Sequence, residues 1–196
     1  MKQITIILAF LMTLYSPVMA QDFNKGVLAY NSGDYVTAIK EWMPLAEQGD
    51  ADAQNNLGVM YENGYGTAQD YKKAAKWYRL AAEQGQGVAQ EQLGELYFRG
   101  IGVLQDDEQA FKWYRRAAEQ GNADAQNQLG NIYGLGKIVP QDYARSYMWF
   151  SIAAANGKKV AARLRTRVAD ILTVEELSEA KKLARKCMES NYKECG

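Results

Sequence analysis

The sequence predicts an all-α chain folded as an α-solenoid of stacked antiparallel helical hairpins. Three observations carry this. First, a gap-free shift of 36 residues brings Ala51 to Gln86, Gly87 to Asn122 and Ala123 to Lys158 into register. Nineteen of the 36 positions agree between the first two units and 12 agree in all three, too many for chance, and a period between roughly 20 and 50 residues marks a stacked architecture. Second, the recurring apolar residues are spaced by three and four, the periodicity of a helix face. Third, glycine and aspartate recur where helices should stop and start.

The elements follow in order. Lys2, the apolar run Ile4 to Leu14, the break at Ser16-Pro17 and the small-residue end Val18-Met19-Ala20 read as a signal peptide over 1–20. About eleven apolar residues fall short of the ~20 that span a bilayer, so no stable membrane insertion is expected after cleavage near Gln21. Residues 21–50 read as a degenerate first repeat. Gly33-Asp34-Tyr35 forms a shorter turn, and Ala38, Trp42, Ala46 and Gly49 repeat the later second-helix pattern.

Units 51–86, 87–122 and 123–158 then each make one hairpin. Ala53, Gln54, Leu57, Gly58 and Tyr61, with their counterparts Ala89 to Tyr97 and Ala125 to Tyr133, share one face of a first helix. Gly58, Gly94 and Gly130 fall inside it, where glycine costs about 1 kcal/mol against Ala, so a neighbouring backbone is expected to come close. Gly64-Tyr-Gly66 and Gly100-Ile-Gly102 supply loop freedom, and Asp70, Asp106 and Asp142 stand at the N-caps of the second helices. Along these, Ala74, Trp77, Tyr78, Ala81 and Ala82, then Trp113, Tyr114, Ala117 and Ala118, alternate large and small. Gly85, Gly121 and Gly157 close them as C′ residues. A two-helix unit cannot bury its own stripe and must lean on the next, which places Trp77, Trp113 and Trp149 in the core.

Residues 159–196 form the C-terminal cap: a first-helix-like stretch from Val160 to Ile171, then a capping box of Thr173 and Glu176 opening a charged helix to about Ser190. Cys187 and Cys195 are the two thiols. In an exported chain they are expected to pair, the alternative being separate free or intermolecular thiols. Eight residues of unbroken helix span about 12 Å, too far for a bridge, so pairing requires the helix to end near Asn191.

The string Ala-Gln-x-x-Leu-Gly-x-x-Tyr, then Gly-x-Gly, then Asp-x-x-x-Ala-x-x-Trp-Tyr-x-x-Ala-Ala-x-x-Gly resembles the Sel-one-like repeat, a relative of the tetratricopeptide repeat. The third unit departs at Ile138, Ser146 and Phe150, which puts its loop shape in question. The resemblance implies a right-handed superhelix and an adaptor or assembly role. In tetratricopeptide-like stacks the first helices line the concave surface. By that analogy the partner-binding residues are Asn55, Val59, Glu62 and Asn63, then Glu91, Glu95, Phe98 and Arg99, then Asn127, Asn131 and Leu135. Asn side chains both donate and accept, Arg99 suits a carboxylate, and Phe98 offers an apolar anchor.

Composition narrows the function. The chain has 196 residues, 47% of them hydrophobic, and no His, so no imidazole base, Ser-His-Asp triad or His-ligated zinc can be built. Its 23 Lys+Arg balance 23 Asp+Glu, against the basic excess a nucleic-acid surface needs. No cofactor or metal is expected: the glycine loops lack a following Lys-Ser/Thr, and capping accounts for the Asp series. The reading is therefore an exported, non-catalytic module binding a protein or peptide on the concave face, in the periplasm or secreted. The alternatives are an enzyme acting on cell-wall material or β-lactams through Ser178-Glu-Ala-Lys181, whose companion motifs are absent, and a secreted host-contact effector. Trp113→Ala should cost about 3–5 kcal/mol in chemical denaturation while Glu62→Ala stays near neutral; equal melting temperatures would contradict the faces assigned.

Overall fold

A computed structural model describes residues 22–195; the expected signal peptide lies outside the described residues. Among the described residues there are ten α-helices and no strand. They pair as α1 (Phe23–Asn31) with α2 (Tyr35–Glu47), α3 (Ala51–Asn63) with α4 (Tyr71–Glu83), α5 (Gly87–Arg99) with α6 (Asp107–Ala118), and α7 (Ala123–Leu135) with α8 (Tyr143–Ala155). Each second helix also packs on the first helix of the following hairpin, giving an α-solenoid. Two further helices, α9 (Lys159–Ala169) and α10 (Val174–Glu189), both pack back on α8 and close the stack.

Local chemistry sets these boundaries. Asp70, Asp106 and Asp142 accept from the amides of Lys73, Gln109 and Arg145 at 3.0, 2.9 and 2.8 Å, taking up one of the donors a helix start leaves orphaned. Asp50, Gln86 and Asn122 cap the first helices in the same way. Each first helix ends on a left-handed glycine, Gly64, Gly100 or Gly136. The first hairpin follows the same plan with a turn of only Ser32 to Asp34 where the later ones run from the glycine cap to the aspartate.

Inside a hairpin, the recurring helix glycine faces an aromatic ring rather than a backbone, which corrects the sequence expectation. A Cβ built on Gly58, Gly94 or Gly130 would stand 2.5, 2.9 or 2.6 Å from the ring of Tyr78, Tyr114 or Phe150 on the second helix. Gly26 meets Trp42 likewise at 2.4 Å in the degenerate first unit. Each ring is buried, so the glycine is a socket for a large side chain and sets how closely the paired helices approach.

Between hairpins, a buried glutamine makes the connection. Gln54, Gln90 and Gln126 donate through Nε2 to the carbonyls of Ala46, Ala82 and Ala118 at 2.9, 3.1 and 3.1 Å, each near the C-terminus of the preceding second helix. Their Oε1 atoms accept from Gln84, Gln120 and Asn156, near the end of their own hairpin. Each of these carbonyls also accepts from a glycine amide just past its helix, Gly49, Gly85 or Gly121, so the glutamine supplies a second bond that crosses the interface. Trp113 and Trp149 pack in this interface at 8% and 3% exposure. Trp77 does not join them: it is half-buried against the core cluster of the first hairpin.

The loops differ as the third unit foretold. Gly66 and Gly102 press on the backbone of Tyr35 and Tyr71, where a Cβ would stand 2.7 and 2.3 Å from the nearest backbone atom. Ile138 replaces this glycine in the third loop and instead packs half-buried beside the last core cluster, while α7 and α8 keep their full 13 residues. Ser146, in place of Ala, is buried and donates to the Gly130 carbonyl at 2.7 Å.

The C-terminal cap is tied down twice. The Thr173–Glu176 capping box opens α10. The helix stops at Glu189, Asn191 and Tyr192 take left-handed backbone angles, and Cys187 is joined to Cys195. The Tyr192 hydroxyl donates to Asn156 Oδ1 at 3.0 Å, extending the amide chain through Asn156 to Gln126. No helix among the described residues is long and apolar enough to cross a membrane.

Gly58→Ala should lower stability by about 1–3 kcal/mol in urea unfolding, although alanine favours helix by about 1 kcal/mol, because the Tyr78 ring has no room to retreat. A gain in stability would show that the ring does not set the spacing.

Candidate functional site

The first helices α3, α5 and α7 stack side by side, and the eleven residues assigned to the binding face divide into two groups there. Asn55 and Asn127 are 8% and 9% exposed, and their Oδ1 atoms are the two buried side-chain oxygens without a hydrogen-bond partner among the described residues. Val59, Glu62, Glu91, Glu95 and Asn131 are half-buried, whereas Asn63, Phe98, Arg99 and Leu135 are exposed. Several already have partners within the chain. Asn63 Nδ2 donates to the Val59 carbonyl, Asn131 Nδ2 to Gln128 Oε1, and the Arg99 guanidinium stands 3.7 Å from Glu95.

The carboxylates are held from below by the tyrosines that fill the glycine sockets. Tyr78 donates its hydroxyl to Glu62 at 2.6 Å and Tyr114 donates to Glu95 at 2.7 Å. These tyrosines are equivalent in the repeat but their acceptors are not: one carboxylate sits a helical turn away from the other's register. Burial, followed by these carboxylate bonds, pushes both hydroxyls up, so they remain protonated donors. The third unit has Phe150 at this position and carries Asn131 and Gly134 where the carboxylates would stand. The expectation that Glu62→Ala is neutral is therefore revised, since it strands a buried hydroxyl at a cost of about 1–3 kcal/mol. The sequence signal was the joint loss of hydroxyl and carboxylate in the third unit.

Glu91 occupies in the second hairpin the position that Asn55 and Asn127 occupy in the first and third. Burial first, then the nearby Asp124 and Glu95, raise its carboxyl to about 7, against which Lys158 works in the opposite direction. Gln92 donates to it at 2.8 Å. Lys158 itself is paired with Asp124. About two turns further along α5, a cavity of about 120 Å³ opens between Phe98, Tyr114, Ile132, Leu135 and Ile138, with Asp107, Gln128, Asn131 and Lys137 as its polar lining. Phe98 is 41% exposed and Leu135 63%, both at its mouth. The cavity lies beside the loop in which Ile138 replaces glycine. Ser178 is exposed on α10, away from this face.

A stack of helical hairpins that presents a continuous face of first helices defines the chain as an α/α-repeat interaction scaffold. The chain belongs to the Sel1 repeat family, whose profile matches residues 51–86, 87–122 and 123–158. The hairpins are also similar to those of a protective antigen present in uropathogenic Escherichia coli strains, described as displaying an SLR fold. The identity is 38% and the TM-score 0.73, over 79% of this chain and 34% of that one. A Sel1 repeat protein from Oxalobacter formigenes is 34% identical with a TM-score of 0.69, over 72% of this chain and 57% of that one. This chain thus spans about a third and somewhat over half of these two proteins. No protein of curated function matches it.

The Glu91 carboxyl has a sign-definite consequence. Between its ordinary value of 4.5 and about 7, the folded chain holds a proton that the unfolded chain has released. Raising the pH through that window therefore removes stability, and the loss is complete above it. Glu91→Gln should flatten this fall in melting temperature; an unchanged slope would show that Glu91 is not its source.

Proposed function

We propose that the chain is an exported, non-catalytic scaffold that holds a protein or peptide on the face formed by α3, α5 and α7. The observation that carries this reading is the concentration on that one face of features the fold does not use: two unpartnered buried amide oxygens, a half-buried carboxyl cluster, and an apolar cavity with Phe98 and Leu135 at its mouth. The opposite requirements of the fold, caps, sockets and interface amides, are met elsewhere and recur in every hairpin. The residues of this surface differ from one hairpin to the next, which suits recognition by area and shape.

The Cys187–Cys195 disulfide and the leader-like first twenty residues support export, and on this reading the chain works in the periplasm or outside the cell. A catalytic role through Ser178 finds no support, because this serine stands exposed on a charged helix and does not line the open cavity that Lys181 of the same motif borders.

The test is capture of envelope proteins by the immobilised mature chain, compared with Phe98→Ala combined with Leu135→Ser. Both side chains are exposed and leave the core intact, so loss of the two anchors should weaken capture at least about tenfold, the equivalent of ~1.4 kcal/mol. Undiminished capture by a folded double variant would move the binding surface elsewhere.

A further inference from the structure

The groove between α5 and α7 has an acidic end and an apolar end. On α5, Glu91, Glu95 and Phe98 follow one another at helical spacings of four and three and share a stripe. On α7, Asp124, Asn127, Asn131 and Leu135 do the same. At one end stand three carboxylates, Glu91, Glu95 and Asp124, the last two adding to burial in raising the proton affinity of Glu91. The buried Asn127 Oδ1 beside them lacks a donor. At the other end is the cavity between Phe98 and Leu135. The two ends are coupled, because Tyr114 and Gln128 line the cavity and both donate to Glu95, at 2.7 and 3.4 Å.

The surroundings strengthen the acidic character. Residues 22–157 carry 12 Lys+Arg against 17 Asp+Glu, while residues 158–196 carry 10 against 6. The cations near this groove are Arg99, which makes a single 3.7 Å contact to Glu95 and is itself exposed, Lys137, which lines the cavity at the apolar end together with Asp107, and Lys158, which comes from the linker before α9 and pairs with Asp124. None of the three gives Asn127 its missing donor. A cluster of carboxylates with an orphaned acceptor next to it calls for a cation that also donates hydrogen bonds, which an arginine or lysine side chain supplies.

We infer that this groove takes a protein segment bearing an Arg or Lys and an apolar side chain. The cation lies among Glu91, Glu95 and Asp124, and the apolar group enters the cavity between Phe98 and Leu135. The spacing follows from the helix. Glu91 to Phe98 rises about 10 Å, which an extended chain covers in about three residues, so the two anchors are about three positions apart. A half-turn of the Asn127 carboxamide brings its oxygen outward to accept from the same segment. Lys158 acts as a built-in competitor for the acidic end. The inference rests on the reading of this face as the binding surface.

An array of short synthetic peptides tests it. Central positions combine Arg, Ala or Glu with Leu or Ser, about three residues apart, and the labelled mature chain is the probe at low salt. Members with Arg and Leu together should be retained, those with Glu should not, and retention should fall as salt rises. Glu91→Gln should weaken retention about three- to tenfold, and Lys158→Ala should strengthen it about two- to fivefold, both with unchanged helical circular dichroism. Equal or greater retention of Glu-bearing peptides, or no member held above the Ala-Ser background, overturns the inference. If Glu-bearing or neutral peptides are retained and Phe98→Ala with Leu135→Ser releases them, the face is right and the charge assignment wrong. Retention indifferent to those two substitutions sinks the face itself.

Discussion

The stack depends on one buried side chain per interface. At the end of each second helix the carbonyls of Ala46, Ala82 and Ala118 accept from the turn amides of Gly49, Gly85 and Gly121, which leaves each oxygen a second lone pair facing the next unit. Gln54, Gln90 and Gln126 bond to that second lone pair from the neighbouring hairpin, and each is in turn oriented by an amide near the end of its own hairpin. An amide is the suitable group because it donates and accepts at once, so one side chain settles a backbone acceptor and a side-chain donor together. The geometry also fixes register: a hairpin slipped by one turn would lose both bonds in a site where unpaired polar groups cost about 1–3 kcal/mol each.

With the interfaces fixed by amides, the inside of each hairpin is set by the glycine sockets. A ring seated on Gly58, Gly94 or Gly130 brings the paired helices to a uniform distance. In the first two full hairpins that ring also carries a hydroxyl, which emerges at the first-helix face and holds a carboxylate. The same residue therefore serves the core with its ring and the candidate site with its oxygen. Where the chain has Phe150, the structural duty is kept and the site duty lapses. The acidic end of the groove consequently belongs to the second hairpin and its border with the third, rather than to the whole face.

The cavity arises from a comparable local departure. Gly66 and Gly102 let their loops lie against the preceding hairpin's backbone, whereas Ile138 cannot approach that closely and packs among the apolar residues around the cavity instead. A change of one residue in a loop thus differentiates an otherwise repeated surface. The C-terminal cap supplies the remaining asymmetry: Tyr192 continues the amide chain at the end of the stack, and Lys158, at the start of α9, reaches the acidic cluster.

Helix identity, hairpin pairing, caps and the repeat boundaries were legible in the residues themselves, because they rest on short-range rules: helical spacing of apolar groups, aspartate at N-caps, glycine at C-termini, and a period too regular to be anything but a stack. The thirty-six-residue recurrence also marked Gln54, Gly58 and Tyr78 as structural positions, but not what they touch. Only the tertiary structure decided that the helix glycine receives a ring instead of a backbone, that Trp77 is less covered than Trp113, that Glu62 and Glu95 are held by buried tyrosines, and that Asn55 and Asn127 turn inward with an unpaired oxygen. Each of these depends on contacts between residues some 15 to 36 positions apart, and a one-dimensional pattern records which residues recur without recording the distances between them.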